Sequence, residues 1–305
     1  MRRIIAHPYA FLACASFIWG ANAVAGKLAV GHVSPMILTC LRWGLTLVLL
    51  APFALGHVRR DWPLIRPRLG FLLGLGFLGF TGFNALFYLA LNTTSALNVV
   101  IEQASMPLFV FAASLVLYGT PVSRFQIVGF LLTLAGVALT ASHGDPTTLL
   151  DLHLNRGDAM MLVAVLFYSA FTVGIRRKPD IHWLSLIFIL SISAFATSIP
   201  IAFVENAFGA TRWPDGRGMA IIAFTAIFAS IASQSLYIRG IEMIGANRAN
   251  LFTNLTPVFG AILAILIVGE RPYLYHAVAL TLVLIGILVA EQRLGWRSRT
   301  TRTLP

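Results

Sequence analysis

Two ionisable side chains sit deep inside apolar sequence, Arg42 in the run that starts at Pro35 and Glu102 in the run that starts at Ala96. A charge at the centre of a membrane-spanning helix costs roughly 2.5–3.5 kcal/mol on insertion scales, so each needs a reason to be there. Both lie about seven residues from one end of their runs, hence about 10 Å deep at the rise of a helix, and an Arg42–Glu102 ion pair at matching depth is one such reason. The other is chemical: Glu102 binds a substrate amine or carries a coupling proton.

The surroundings of Glu102 are polar in a patterned way. Asn98 and Glu102 are i, i+4 neighbours, as are Asn250 and Asn254, so each pair shares a helical face that should point inward. Gln103 follows Glu102, and Thr253 and Thr256 flank Asn254. Pro107 and Pro257 fall near the middles of the same two runs, where each frees the carbonyl four residues earlier, at Gln103 and Thr253. Freed carbonyls at that depth are tolerated only where protein or a water-filled cavity meets them, which makes the two prolines candidate hinges beside a binding site. Asn22, Asn84, Tyr88, Gln234 and Tyr237 are further polar groups that lipid would not accept, each equally suited to joining helices. Trp19, Tyr168 and Phe171, with Tyr88 and Tyr237, offer rings against which an apolar substrate side chain could pack.

Other chemistries find no support. There is no HExxH, no GxSxG and no aspartate-rich metal pair, and the seven histidines fall at or beyond the ends of apolar runs, so no enzyme and no cofactor is expected. Cys14 and Cys40, the only cysteines, lie separately inside apolar runs and form neither a metal motif nor a disulfide framework.

The elements that must position these residues are membrane helices. The 305 residues are 58% hydrophobic and 11% charged, with mean hydropathy +0.84, against about 25% charged for soluble domains. Runs near the roughly 20 residues needed to cross the hydrocarbon are found at 9–30, 35–55, 69–91, 96–118 and 125–141, then at 157–175, 183–204, 218–238, 249–268 and 273–290. Ten spans put both termini on one side. The formal net charge of +11 does not indicate nucleic acid, because the basic residues cluster between the runs. Sixteen of the 22 lysines and arginines fall on the side of the termini and five on the other, with Arg42 inside a span, which makes the terminal side cytoplasmic. An A-x-A site at Ala21–Ala23 admits a cleaved signal peptide as an alternative, leaving nine spans.

A shift of 150 residues superimposes Pro107 on Pro257, Phe109 on Phe259, Gly119 on Gly269 and Gly136 on Gly286. The repeat divides the chain into halves at 1–145 and 146–305, one integrated membrane domain. Because each half has five spans, the two enter the membrane from opposite sides, an arrangement that lets a shared cavity open first to one side and then to the other. The fold expected is therefore all-α, ten spans in two inverted five-helix repeats around a central cavity.

Trp19-Gly20-Ala21-Asn22, Ser34-Pro35 followed by Arg42, Pro107, Pro257 and Gly269-Glu270-Arg271, taken in order, resemble the drug/metabolite transporter superfamily over nearly the whole chain, and within it the EamA-type ten-helix carriers. The chain is similar to the YddG-like amino-acid exporters of that group. The resemblance implies a basket with spans five and ten outside a central cavity, and export of amino acids or related metabolites from a multi-pass protein of the inner membrane. It supports Trp19, Asn22 and the polar faces of spans four and nine as cavity lining. It departs from the family at Tyr118-Gly119-Thr120, where Gly-Glu is common, and at Tyr168, which replaces a tryptophan. The partners expected are a small-molecule substrate and lipid, with a proton as candidate coupling ion, in a monomer or weak dimer. A channel or scaffold, or a carrier of drugs or other organic metabolites, is the alternative.

Overall fold

The computed structural model describes residues 7–119, 123–145, 155–244 and 252–291, and among them every regular element is helical. Five helical stretches are long and apolar enough to cross a membrane: Pro8–Ala29, Pro35–Thr93, Arg156–Arg177, Trp183–Ala207 and Gly216–Gly240. Shorter apolar helices at Arg124–Thr140, Leu255–Val268 and Leu274–Val289 accompany them.

In chain order the elements are α1 (Pro8–Ala29), α2 (Pro35–Ile65), α3 (Leu69–Gly76), α4 (Phe83–Thr93), α5 (Ala96–Gln103), α6 (Met106–Tyr118) and α7 (Arg124–Ala141). They continue as α8 (Arg156–Gly174), α9 (Trp183–Ala207), α10 (Gly216–Phe224), α11 (Ser233–Ile244), α12 (Leu255–Leu263) and α13 (Leu274–Glu291). The second helix outruns the span read from hydropathy, passing Leu55 and ending only at Ile65, because basic and acidic residues at its end reach past the apolar layer.

Two kinds of interruption recur at corresponding places. The expected fourth span is broken: α5 stops at Gln103, Ala104 and Ser105 form a turn, and α6 restarts with Pro107 in its first turn. Proline is at home there because a first-turn N–H has no helical partner, so Pro107 opens a new helix instead of kinking the middle of an old one. Near Pro257 a turn at Asn254 precedes α12, whose third residue is that proline. The expected third and eighth spans each contain a π-helical segment, Phe77–Gly82 between α3 and α4 and Thr225–Ala232 between α10 and α11, and a third, Ala264–Val268, follows α12. Such insertions leave main-chain carbonyls available to side chains and gather at functional sites.

The packing pairs long helices antiparallel. Glu205 near the end of α9 accepts from Ser34 Oγ at 2.5 Å and Met36 N at 3.2 Å at the start of α2. Asp61 near the end of α2 in turn accepts from His182 N at 2.8 Å and Ser185 Oγ at 2.7 Å at the start of α9. Each acid satisfies donors at the opposite helix's positive end, where an anion is stabilising. The helices α7 and α13 begin and end 150 residues apart and lie against each other through glycines: a Cβ on Gly136 would sit 2.7 Å from Ala279 O, and one on Gly286 2.6 Å from Gly129 O. Between these pairs the core runs from Val24 and Leu38 through Phe87 and Leu97 to Met161 and Val165.

Candidate functional site

Arg42 lies on the buried face of α2, 4% exposed. Its Nε donates to Ser230 Oγ at 2.8 Å, and its Nη1 to Asn84 Oδ1 at 2.8 Å and Tyr88 Oη at 2.5 Å. Both amide and hydroxyl partners are anchored on the interrupted backbone. Ser230 Oγ donates to Thr225 O at 3.0 Å within its own π-segment, and Asn84 Nδ2, in the first turn of α4, donates to Phe80 O of the preceding π-segment at 2.6 Å. Tyr88 Oη passes the chain on to Asn22 Oδ1 on α1 at 3.1 Å. The guanidinium also stands 5.1 Å from the Trp43 ring, a cation–π contact that strengthens when desolvated.

Every partner in this network is neutral. Among the described residues no carboxylate lies within ion-pair distance of Arg42. The Arg42–Glu102 pair that matching depth allowed is therefore not formed. A buried charge left without a counter-ion costs several kcal/mol relative to a paired one, so four neutral contacts compensate it only in part. On the same helix Trp43 Nε1 and Thr46 Oγ1 are buried with no hydrogen-bond partner. The centre is thus rich in donors and short of acceptors.

Asn22, Asn84 and Tyr88, singled out in the sequence, meet at this centre. Trp19 packs edge-on against Tyr237 with ring centroids 5.2 Å apart. Tyr168 joins Phe83 at 5.0 Å and Phe171 at 5.3 Å, and Phe171 touches Phe80, whose ring stacks on Trp43 at 4.5 Å, so one aromatic row ends beside Arg42. Gln103, Gln234 and Asn254 are half-buried, and Asn254 makes no side-chain cap to α12. Pro257 is buried at the α12 start, whereas Asn250 lies outside the described residues.

Asn98 and Glu102 stand apart. Their shared face does not reach Arg42 but turns to α8 and α13, where Asn98 Oδ1 meets His276 Nε2 at 3.1 Å and Asp158 is the acidic neighbour of Glu102. Beside them a cavity of about 350 Å³ is lined by Ser95, Asn98, His143, Glu270, Arg271, Tyr273, Tyr275 and His276. Glu270 closes one wall by accepting from Ala96 N at 2.7 Å and Leu97 N at 2.9 Å, the free donors of the α5 start. Lys27 does the converse at the α4 end, donating to Leu91 O at 2.9 Å and Thr94 O at 2.7 Å.

Sequence reasoning passed over several of these groups. Asp158 and Lys27 lie inside helices, so they join Arg42 and Glu102 as charges within the bundle. His276 is buried in the first turn of α13, where apolar flanks on one side only made it look terminal. Ser230 carried no signal, since a lone serine in an apolar run is ordinary. At the loop level, Asp215 caps α10 through Gly218 N at 2.9 Å and meets His32 Nδ1 at 2.7 Å. The Gly218 N–H first, and His32 second, hold its carboxyl below the usual aspartate value.

Comparison with known proteins places this arrangement. The model of the EamA-like transporter family matches residues 7–142 and, a second time, residues 155–291. The uncharacterized transporter YyaM of Bacillus subtilis is 26% identical over 288 residues, 93% of each chain. YetK of the same organism, also named an uncharacterized transporter, is 24% identical over 283 residues, 92% of this chain and 86% of that protein. The uncharacterized inner membrane transporter YicL of Salmonella typhimurium is 22% identical over 259 residues, 84% of this chain and 85% of its own. A crystal structure with 20% sequence identity superimposes with a TM-score of 0.62, covering 96% of this chain and 99% of the other, and shares the fold.

Proposed function

Since this chain belongs to the EamA-like transporter family, we propose that it is a secondary transporter that exports amino acids or related small metabolites by alternating access around Arg42. One observation carries the substrate class: a buried guanidinium bridging Ser230 of the π-segment Thr225–Ala232 and Asn84 at the start of α4, with neutral partners only and with unmet donors at Trp43 and Thr46 beside it. A substrate carboxylate supplies the missing charge and accepts from those donors. The row from Trp43 through Phe80 and Phe171 to Tyr168 then receives an apolar side chain.

The mechanism follows from the paired interruptions. Two halves, 1–145 and 146–305, read as inverted five-helix repeats with ten spans in all. Support comes from the double family match, the 150-residue offset of α7 and α13, the π-segments Phe77–Gly82 and Thr225–Ala232, and the reciprocal acid caps of α2 and α9. Exchanging conformations between such halves opens the centre to alternate sides. Trp19, Asn22, Asn84, Tyr88, Gln103, Tyr168, Phe171, Gln234, Tyr237, Asn250 and Asn254 are the residues assigned to the cavity, with Pro107 and Pro257 at the breaks. The chain resides in the inner membrane with both termini cytoplasmic, a reading that the printed name of YicL and the basic loops support.

Purified protein in liposomes loaded with each labelled amino acid tests this. Saturable counterflow that is lost in Arg42→Met is the expected result. Conduction without trans-stimulation indicates a pore, and no exchange of any amino acid refutes the substrate class.

A further inference from the structure

Glu102 has no place in the central network. It is 0% exposed, and neither carboxyl oxygen has a hydrogen-bond partner. Asp158 on α8 is also 0% exposed, with Oδ2 unpartnered, so two acids share one dry compartment behind α5. Two ionised carboxylates there would repel each other, and a proton held by the pair removes the repulsion.

A directed chain of donors decides which acid keeps the charge. Tyr273 N donates to His276 Nδ1 at 2.9 Å, which leaves the ring proton on Nε2 to donate to Asn98 Oδ1 at 3.1 Å. Asn98 Nδ2 donates to Thr94 Oγ1 at 3.2 Å, and the Thr94 hydroxyl donates to Asp158 Oδ1. A donor aimed at Asp158 suits a carboxylate there, whereas Glu102 receives none and is suited to be the carboxylic acid. Among the described residues, Arg156 in the first turn of α8 is exposed, and other elements packed on α5 bring no cation to Glu102. α7 has only Arg124, at its far end, and α12 has no titratable residue. On α4 Tyr88 is engaged by Arg42, and on α1 Lys27 acts at the opposite end of α5, near Glu270. His143 lies close enough to Asp158 and His276 to influence both.

Water has a way in. Asn98 and His276 are walls of the 350 Å³ cavity, and Glu102 lies about one helical turn, about 5.4 Å, below Asn98 on the same face. Glu102 also sits in the last turn of α5, just before the Ala104–Ser105 break, so a swing of α5 against α6 would carry it between environments.

We propose that Glu102, with Asp158 as its partner, is a proton-binding site separate from the Arg42 centre, loaded from water in the cavity bounded by Asn98, His143, His276 and Glu270, and that its proton exchanges for substrate. Loading forms an O–H bond on Glu102 as a hydronium ion gives up its proton; unloading on the opposite side returns the proton to water. The coupling half of the proposal rests on the carrier reading. The proton site itself does not.

Infrared spectra of the protein in nanodiscs, titrated over pH, test the site without any substrate. A buried carboxylic-acid carbonyl band that persists at neutral pH, is lost in Glu102→Gln and remains in Asp158→Asn is the expected result; a band unchanged in Glu102→Gln overturns it. Proteoliposomes with a trapped pH dye and the amino acid found by counterflow test the coupling. Wild type should move protons against substrate, and in Glu102→Gln proton movement should vanish beyond any fall in substrate rate. Substrate movement without protons in wild type, or an unchanged proton-to-substrate ratio in the variant, refutes coupling. If no amino acid moves, the amino-acid substrate class fails while the infrared band still judges the proton site.

Discussion

Gly20→Ala is the sharpest probe of how α1 meets α12. A Cβ at Gly20 would stand 2.7 Å from Gly260 N, 2.9 Å from Thr256 O and 3.1 Å from Gly260 Cα. All three are backbone atoms, so no side chain can rotate away and the helices themselves must separate. Separation also disturbs Gly260, which already faces Val100 across the same contact. Close approach through small residues is a main source of helix association in lipid, and overpacking of this kind costs about 1–3 kcal/mol. Gly74 supplies the control: it lies in α3, and a methyl group added there would have no neighbour within 4 Å, so Gly74→Ala meets open space. There the gain in helix propensity, about 0.5–1 kcal/mol, is unopposed. Melting temperatures of both variants in the same detergent should move in opposite directions, down for Gly20→Ala and up or unchanged for Gly74→Ala. Because Trp19 and Thr256 flank the contact, counterflow should fall with the first and persist with the second. Equal melting temperatures would show that α1 and α12 are not pressed together as described.

The other expectations are of three kinds. Arg42→Lys keeps the charge but not the fork that reaches Ser230, Asn84 and Tyr88 together, so transport should fall partway and stability by about 1–3 kcal/mol, read by melting and counterflow; full activity refutes the fork's role. Glu270→Gln should loosen the start of α5 at a cost of about 0.5–2 kcal/mol, seen as faster amide exchange at Ala96 and Leu97, and unchanged exchange would count against the cap. The Asp215 carboxyl sits below its ordinary value of 3.8, so its contribution is present above that pH and fades as pH falls through the lower folded-state value. Asp215→Asn should therefore flatten the fall of melting temperature on the acid side of about pH 4; parallel curves would contradict this.

Much of the helical layout was legible because apolar run length is a direct consequence of bilayer thickness. The helices α7 and α13 follow the runs 125–141 and 273–290 to within a residue or so. Family membership was legible from a few ordered motifs. What escaped is what hydropathy does not encode. The π-segments insert residues without changing composition, so nothing in FLGFTG or TAIFASIA announces them. Pro107 marked a break but not its register, since a proline serves equally at a kink and at a helix start. The polar face of Asn98 and Glu102 was visible from its i, i+4 spacing, yet spacing fixes only that the two share a direction, and the direction turned out to be toward Asp158 and His276.

The two stretches share bends and differ in charge, and the proposed mechanism gives this division a physical reason. The breaks before Pro107 and Pro257 and the π-segments Phe77–Gly82 and Thr225–Ala232 recur, whereas the π-segment Ala264–Val268 has no counterpart in α6; under the alternating-access proposal, shared bends let one half take the other's conformation. Charges need not recur. The positions 150 residues from Glu102 and Glu270 hold Phe252 and Thr120, and those about 149 residues from Arg42 are Leu190, Ser191 and Ile192. A second buried arginine would double the desolvation cost while offering the substrate two competing centres. A second Glu102 would allow a proton to load without regard to which side is open. With the guanidinium on α2 and Glu102 on α5, the proposed substrate and proton sites have separate addresses. A carrier needs that separation if either ligand is to sense the other through conformation and not through direct contact.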